Sequence, residues 1–134
     1  MTSRVLVVDD EQAIRHAVGR LLRREGWDPV TVATAGEALA ALERVTADAI
    51  LLDYHLPGLS GAALGAEIIA RWPGLAGRMV FVSGDPTLSV EDFPAACRGA
   101  RLLPTPFDLL ELAAVLRGVL AAAANTSNSS GNSA

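Results

Sequence analysis

The sequence predicts an α/β fold in which five βα units form one doubly wound parallel sheet within a single domain. Three observations support this prediction. Apolar runs without polar alternation recur along the chain, which is typical of strands covered on both faces. Segments with apolar residues at three-to-four spacing separate these runs, as amphipathic helices do. The chain has 134 residues, 51% of them hydrophobic, and can bury one core without disulfides or metals.

The predicted strands are short apolar runs. Residues 5–8 form a continuous run of Val and Leu, whereas residues 30–33 form a weaker one. Because every run is far shorter than the roughly 20 residues that cross a bilayer, no membrane span is predicted. The strands are predicted at residues 5–8, 30–33, 49–52, 79–82 and 100–103.

Helical periodicity follows the strands, and helix-ending residues mark its limits. Gly26 follows the first helix, Pro73 ends the third and Asp108 can cap the last. The segment after the fourth strand, residues 89–97, contains Pro94, which lacks a backbone donor, so we expect a short or distorted helix there. The periodic positions are Ile14, Val18, Leu21 and Leu22, then Ala38, Leu39 and Leu42, then Leu64 and Ile68, and finally Leu109, Leu112, Val115, Leu116 and Val119.

Composition and charge argue against several classes of function. The net charge is −4 and all 11 basic residues are scattered arginines, so nucleic-acid binding by this domain is not expected. Cys97 is the only cysteine, which excludes an intramolecular disulfide and a cysteine zinc cluster. The first residues lack a signal-peptide pattern, so a cytoplasmic location is expected. We expect residues 1–124 to form the domain and the polar residues 125–134 a flexible tail.

Polar residues follow four of the predicted strands, at the edge where open parallel sheets bind their ligands. Asp9 and Asp10 follow the first strand and Asp53 the third. Ser83 follows the fourth strand, and Thr105 lies in a proline-rich loop after the fifth. We therefore expect these side chains to converge on one pocket.

Three close carboxylates would raise one another's pKa unless a cation stands between them. Mg²⁺ suits such a site, because it prefers carboxylate oxygens together with water and a substrate phosphate. We assign Asp9 and Asp10 to the metal and Asp53 to in-line attack on phosphorus.

Each of these residues also has a simpler interpretation. An Asp pair after a strand is often a solvated helix N-terminus, and Ser83 beside a glycine is often turn chemistry. Asp53 alone could be a turn residue, and the His55 ring is expected at the loop surface. The functional interpretation is favoured because all of these groups fall at the same end of one sheet.

The combined pattern resembles the response-regulator receiver family of two-component signalling, which has a flavodoxin-like fold. The resemblance implies that Asp53 is the phosphoacceptor and that Asp10, Asp53 and the backbone carbonyl of His55 hold Mg²⁺, with Asp9 supporting the metal. It places Ser83 as the switch hydroxyl, and it implies a histidine kinase or a histidine phosphotransfer domain as partner, with a homodimer left open. Residues 83–85 and 106–108 are also similar to the corresponding segments of receivers attached to hybrid histidine kinases. The motifs are VLVVDDE at residues 5–11, LLDYHLPG at 51–58, FVSGD at 81–85 and LPTPFD at 103–108.

Two positions depart from the family pattern. The family has a lysine where this chain has Thr105, and an aromatic residue where it has Leu102. A threonine donates one neutral hydrogen bond, about half as strong as a charge-assisted bond. An aliphatic side chain cannot act as a polar-tipped aromatic switch. The coupling of phosphate to output is therefore expected to be altered, although the bond between Thr105 and Pro106 should still be cis.

Three other classes of protein share part of this pattern. A haloacid-dehalogenase-like phosphatase would need a second Asp two residues after its nucleophile, where His55 follows Asp53. A flavodoxin-like cofactor carrier would not place Asp9 and Asp10 in a phosphate-binding loop, because they would repel the phosphate. A pseudo-receiver that acts as a protein-binding module without phosphorylation stays open, and acyl-phosphate formation separates it from a phosphoacceptor.

Overall fold

Five parallel strands form one sheet in the order β2-β1-β3-β4-β5, which confirms the predicted fold class. A computed structural model describes residues 2–133, with side chains described for residues 2–122. Strand order reverses beside β1, so the loops after β1 and β3 lie next to each other at one edge. The strands are β1 (Arg4–Val8), β2 (Asp28–Val32), β3 (Ala49–Asp53), β4 (Met79–Ser83) and β5 (Arg101–Pro104).

Four α-helices cover the two faces of the sheet. They are α1 (Gln12–Arg24), α2 (Ala35–Arg44), α3 (Gly61–Arg71) and α4 (Leu109–Ser133). Hydroxyl caps start two of them: Thr34 accepts from the Glu37 N–H of α2, and Ser60 accepts from the Ala63 N–H of α3. Such caps satisfy amide donors that have no partner within the helix.

The segment between β4 and β5 forms two single 3₁₀ turns, Val90–Asp92 and Ala95–Cys97, in place of an α-helix. Pro94 lies between the turns, where its missing donor interrupts a helical ladder. Ser89 and Asp92 form a capping box on the first turn. The prediction of a short or distorted fourth helix is therefore confirmed.

Strand β2 begins at Asp28, two residues before the predicted start, and includes Pro29. Because β2 is an edge strand that pairs only with β1, a proline that cannot donate to a second neighbour is tolerated there. Apolar periodicity alone did not reveal this extension.

The core has two halves, one on each face of the sheet. Leu6 and Val8 point to the half that packs against α2 and α3, whereas Val5 and Val7 point to the half under α1 and α4. This alternation explains why the inner strands are apolar apart from a residue at one end of each.

The predicted flexible tail lies at the C-terminus of the chain. The backbone of α4 extends to Ser133, but the side chains of residues 123–133 and the whole of residue 134 lie outside the described residues. The flexible tail at residues 125–134 stays a prediction. Within residues 2–133, no helix has both the length and the apolar character to cross a membrane.

Candidate functional site

Three carboxylates meet where β1 and β3 end. Asp9 and Asp10 lie in the loop after β1, and Asp53 is the last residue of β3. One carboxylate oxygen from each lies within 4.8 Å of the other two. Asp9 and Asp53 are half-buried and Asp10 is exposed. This hard, all-oxygen donor set fits Mg²⁺, which takes one or two carboxylates together with water and phosphate oxygens.

The pKa of the Asp9 carboxyl is raised from 3.8 to about 6. Burial is the largest cause, the Glu11 N–H acts against it, and the negative charges of Asp53, Asp10 and Glu11 also raise the pKa. The Glu11 N–H donates to Asp9 Oδ1 at 2.9 Å. Removal from water, reinforced by the neighbouring carboxylates, therefore disfavours the ionised form of Asp9.

A cavity of about 390 Å³ opens over these carboxylates. All five predicted positions around Asp53 contribute to its wall, so the structure brings them together as expected. Among the described residues that line it, His55 is the only basic side chain. The predicted site residues along its wall are Asp9, Asp10, Asp53, His55, Ser83 and Thr105.

His55 links Asp53 to the hydroxyl of Ser83. Its backbone N–H donates to Asp53 Oδ1 at 3.0 Å, and its ring Nε2 lies 2.8 Å from Ser83 Oγ. The Asp85 N–H donates to the same hydroxyl oxygen at 3.0 Å. Sequence reasoning considered only the backbone carbonyl of His55 for the metal and missed the contact made by its ring. Ser83 is buried, so its hydroxyl depends on these two neighbours.

Thr105 lines the same cavity and lies beside Ser83. Its N–H donates to the Ser83 carbonyl at 2.8 Å, and its hydroxyl oxygen lies 3.0 Å from the position that a Cβ on Gly84 would take. The Thr105–Pro106 bond is cis, as predicted. Leu102 packs half-buried against the core cluster of α2 and α3 and does not line the cavity. The wall therefore offers a neutral hydroxyl where the family has a cation.

Gly61, the first residue of α3, is a structural requirement that sequence reasoning missed. A Cβ there would lie 2.0 Å from the Asp53 carbonyl oxygen and 2.6 Å from Tyr54 Cα. The Gly61 N–H donates to the Tyr54 carbonyl at 3.0 Å. A glycine directly after a serine cap was the available signal, because it lets the start of α3 approach the acceptor loop.

An aromatic cluster packs against the start of the loop that follows β3. The Tyr54 ring packs edge-on against Phe81 at 5.1 Å and lies 5.6 Å from Phe93, centroid to centroid. Burial raises the pKa of the Tyr54 phenol, and the charges of Asp92 and Cys97 act in the same direction. Tyr54 is thus packed against the core, whereas Asp53 faces the cavity.

The fold and the acidic site agree with a comparison to known families. The sequence pattern of the response regulator receiver domain matches residues 5–117. The chain belongs to this family and is a receiver domain of a two-component response regulator.

Similar proteins include response regulators from several bacteria. The probable transcriptional regulatory protein TcrX of Mycobacterium tuberculosis is 34% identical over 87% of this chain, and the DNA-binding transcriptional regulator NtrC of Salmonella typhimurium is 35% identical over 84%. The sensory transduction protein RegX3 of Mycolicibacterium smegmatis is 44% identical over 53% of the chain. The matched parts are 49%, 24% and 31% of these relatives, so the chain spans half of their length or less.

Solved structures show the same fold. A CheY-like receiver domain protein from Methanospirillum hungatei JF-1 has a TM-score of 0.84 at 28% identity, with 94% of this chain and 99% of that chain covered. NtrX from Brucella abortus has a TM-score of 0.85 at 34% identity, with 97% of this chain and 29% of that chain covered. It stays a prediction that this receiver is of the type found in hybrid histidine kinases.

Proposed function

We propose that Asp53 accepts a phosphoryl group from a phosphohistidine of a histidine kinase or a histidine phosphotransfer domain. The observation that carries the proposal is the meeting of the Asp9, Asp10 and Asp53 carboxylates within 4.8 Å at the carboxyl edge of the sheet. Carboxylates that line a cavity, one of them with a pKa near 6, are typical of functional sites and support this assignment.

Asp10, Asp53 and the backbone carbonyl of His55 would hold Mg²⁺, with Asp9 in support. When bound, Mg²⁺ neutralises charge on the carboxylates and the phosphoryl oxygens. The His55 N–H occupies Asp53 Oδ1 and orients the carboxylate, which leaves the second oxygen free of that bond for the attack on phosphorus. An oxygen–phosphorus bond forms, the phosphorus–nitrogen bond of the donor breaks, and the released imidazole takes a proton from solvent.

Ser83 and Thr105 would contact the phosphorylated product. The Ser83 hydroxyl can donate to a phosphoryl oxygen once the His55 ring no longer engages it. Thr105, which also lines the cavity, can donate one neutral hydrogen bond. This unusual pair supports a receiver in which phosphorylation is retained while the conformational response is altered.

The test is phosphorylation by a small phosphodonor with and without Mg²⁺, measured as intact mass. We expect one added phosphoryl group that depends on Mg²⁺ and is removed by hydroxylamine, as an acyl phosphate is. Asp53→Asn should abolish the adduct, whereas Asp48→Asn, outside the site, should keep it. An adduct that survives in Asp53→Asn would contradict the assignment.

The alternative function is a pseudo-receiver that binds a protein partner without phosphorylation, and the Thr105 and Leu102 departures favour it. Absence of any Mg²⁺-dependent adduct would support this alternative. A cytoplasmic location, a homodimer and the lack of nucleic-acid binding by the domain stay predictions.

A further inference from the structure

Helix α1 is strongly basic in an otherwise acidic chain. It carries Arg15, Arg20, Arg23 and Arg24 without a single acidic residue, although the net charge of the chain is −4. In the part of the chain whose side chains are described, the ion pairs involve Arg4, Arg71 and Arg117 and none of the α1 arginines. A basic helix face is usually only solvated, so a binding site requires further evidence from geometry.

A cavity between α1 and the edge strand β2 provides this evidence. This cavity of about 240 Å³ is lined by Gln12, Arg15, His16, Gly19, Arg23 and Thr31. Every lining side chain other than that of glycine can donate hydrogen bonds, and the described lining contains no carboxylate. This cavity is separate from the acidic cavity over Asp53, with which it shares no lining residue.

Two guanidinium groups line this cavity, one fixed by a hydrogen bond and the other exposed. Arg15 is half-buried, and its Nη1 donates to the Asp9 carbonyl at 2.7 Å, which leaves other N–H groups of the fork available. Arg23 folds back along α1, so that its Nη1 lies 3.7 Å from the position of a Cβ on Gly19. The fork geometry of arginine matches the oxygens of a phosphate.

Gly19 keeps the floor of the cavity open. It is buried in the interior of α1, where glycine is among the poorest helix formers. A Cβ at this position would meet only Arg23 Nη1 at 3.7 Å and Thr31 Cγ2 at 3.8 Å, which are ordinary contacts. Packing therefore does not require a glycine here, and the missing methyl group leaves space between the arginine and the threonine.

We propose that this cavity binds a compact phosphate dianion, either inorganic phosphate or the phosphate group of a small monoester. Arg15 and Arg23 supply charge-assisted hydrogen bonds, and Thr31 and Gln12 supply neutral ones. The lining contains no Phe, Tyr or Trp ring, so the recognised group is the phosphate itself. This proposal does not depend on phosphorylation of Asp53.

The test is an amide NMR titration of the full chain with inorganic phosphate and, separately, with a sugar phosphate, in Mg²⁺-free buffer at constant ionic strength. We expect saturable shifts at Arg15, Gly19 and Thr31. Equal affinity for the two ligands identifies inorganic phosphate as sufficient, whereas tighter binding of the sugar phosphate identifies a monoester; both results support the site.

The matched variants are Arg23→Gln, which removes a lining charge, and Arg24→Gln, which removes a neighbouring charge outside the cavity. Arg23→Gln should weaken binding about tenfold or more, as expected for loss of a charged hydrogen bond, whereas Arg24→Gln should change it little. Gly19→Ala, which is compatible with the helix, should also weaken binding. Absence of saturable shifts in the parent, or equal weakening by both arginine variants, would overturn the proposal.

Discussion

The ring of His55 and the hydroxyl of Ser83 are already joined in the unphosphorylated domain, with Nε2 2.8 Å from Oγ. The Asp85 N–H donates to the same oxygen. The Asp85 N–H uses one acceptor site of that oxygen, so in the tautomer whose Nε2 accepts the hydroxyl proton, a phosphoryl group on Asp53 would compete with the His55 ring for that proton. We therefore expect His55, two positions after Asp53, to affect the response to phosphorylation.

Removing the His55 ring should release the Ser83 hydroxyl for the phosphoryl group. We expect His55→Ala to favour the switched state by about 1 kcal/mol, or about fivefold, the net value of a typical hydrogen bond. The measurement is the phosphorylation-dependent shift of amides at residues 83–85. In a Ser83→Ala background the effect of His55→Ala should vanish, and its persistence there would show that the ring acts by another route.

Mg²⁺ binding should depend on Asp10 much more than on Glu11. Both line the cavity, but only Asp10 belongs to the group of carboxylates within 4.8 Å of one another. Asp10→Asn should weaken Mg²⁺ binding strongly, whereas Glu11→Gln should change it little. A calorimetric or fluorescence titration measures this difference, and equal effects would remove the proposed metal site.

In the absence of Mg²⁺, the free energy of unfolding should decrease as the pH rises, because Asp9 titrates. Its pKa is about 6 in the folded domain and 3.8 as the reference value, so protonated Asp9 is favoured by folding. This contribution is fully present below the reference pKa and is lost as pH rises through about 6. The free energy of unfolding of the parent should therefore fall, relative to Asp9→Asn, between pH 4 and 6.

Urea unfolding at several pH values measures this difference between the two proteins. Mg²⁺ binds the ionised carboxylate, so its affinity should rise over the same pH range. Parallel pH profiles for the parent and Asp9→Asn would contradict the raised pKa.

Thr105→Lys should strengthen the response to phosphorylation more than phosphorylation itself. The chemistry depends chiefly on Asp53 and Mg²⁺, whereas a cation at position 105 would hold the product phosphate. The added charged hydrogen bond should favour the switched state by about 1 to 3 kcal/mol. The readouts are phosphorylation yield and amide shifts at residues 84–88 and 100–103. A full shift in the parent, with no gain in the variant, would show that Ser83 and the metal suffice.

Gly61→Ala should disturb the acceptor loop. The added Cβ would lie 2.0 Å from the Asp53 carbonyl oxygen, so backbone must move, with an expected loss of about 3 kcal/mol in unfolding free energy. Gly36→Ala is the matched control, because a Cβ there meets nothing within 4 Å. Chemical denaturation measures both. Equal stability of the two variants would contradict the close approach.

Sequence patterns alone predicted the sheet, its helical layers and the convergence of Asp9, Asp10 and Asp53. Unbroken apolar runs indicate buried parallel strands, and the carboxyl ends of such strands share one edge. Pro94 likewise predicted the interrupted helix, because a missing backbone donor acts locally. These features follow from periodicity and local chemistry.

Contacts between side chains of different loops depend on the tertiary structure and could not be predicted from the sequence. The His55 ring reaches Ser83 over 28 positions of sequence, and no periodic pattern encodes the conformation of the loop that carries it. The need for glycine at position 61 arises from the packing of α3 on the loop after β3. The raised pKa of Asp9 arises from burial, and burial depends on the assembled fold.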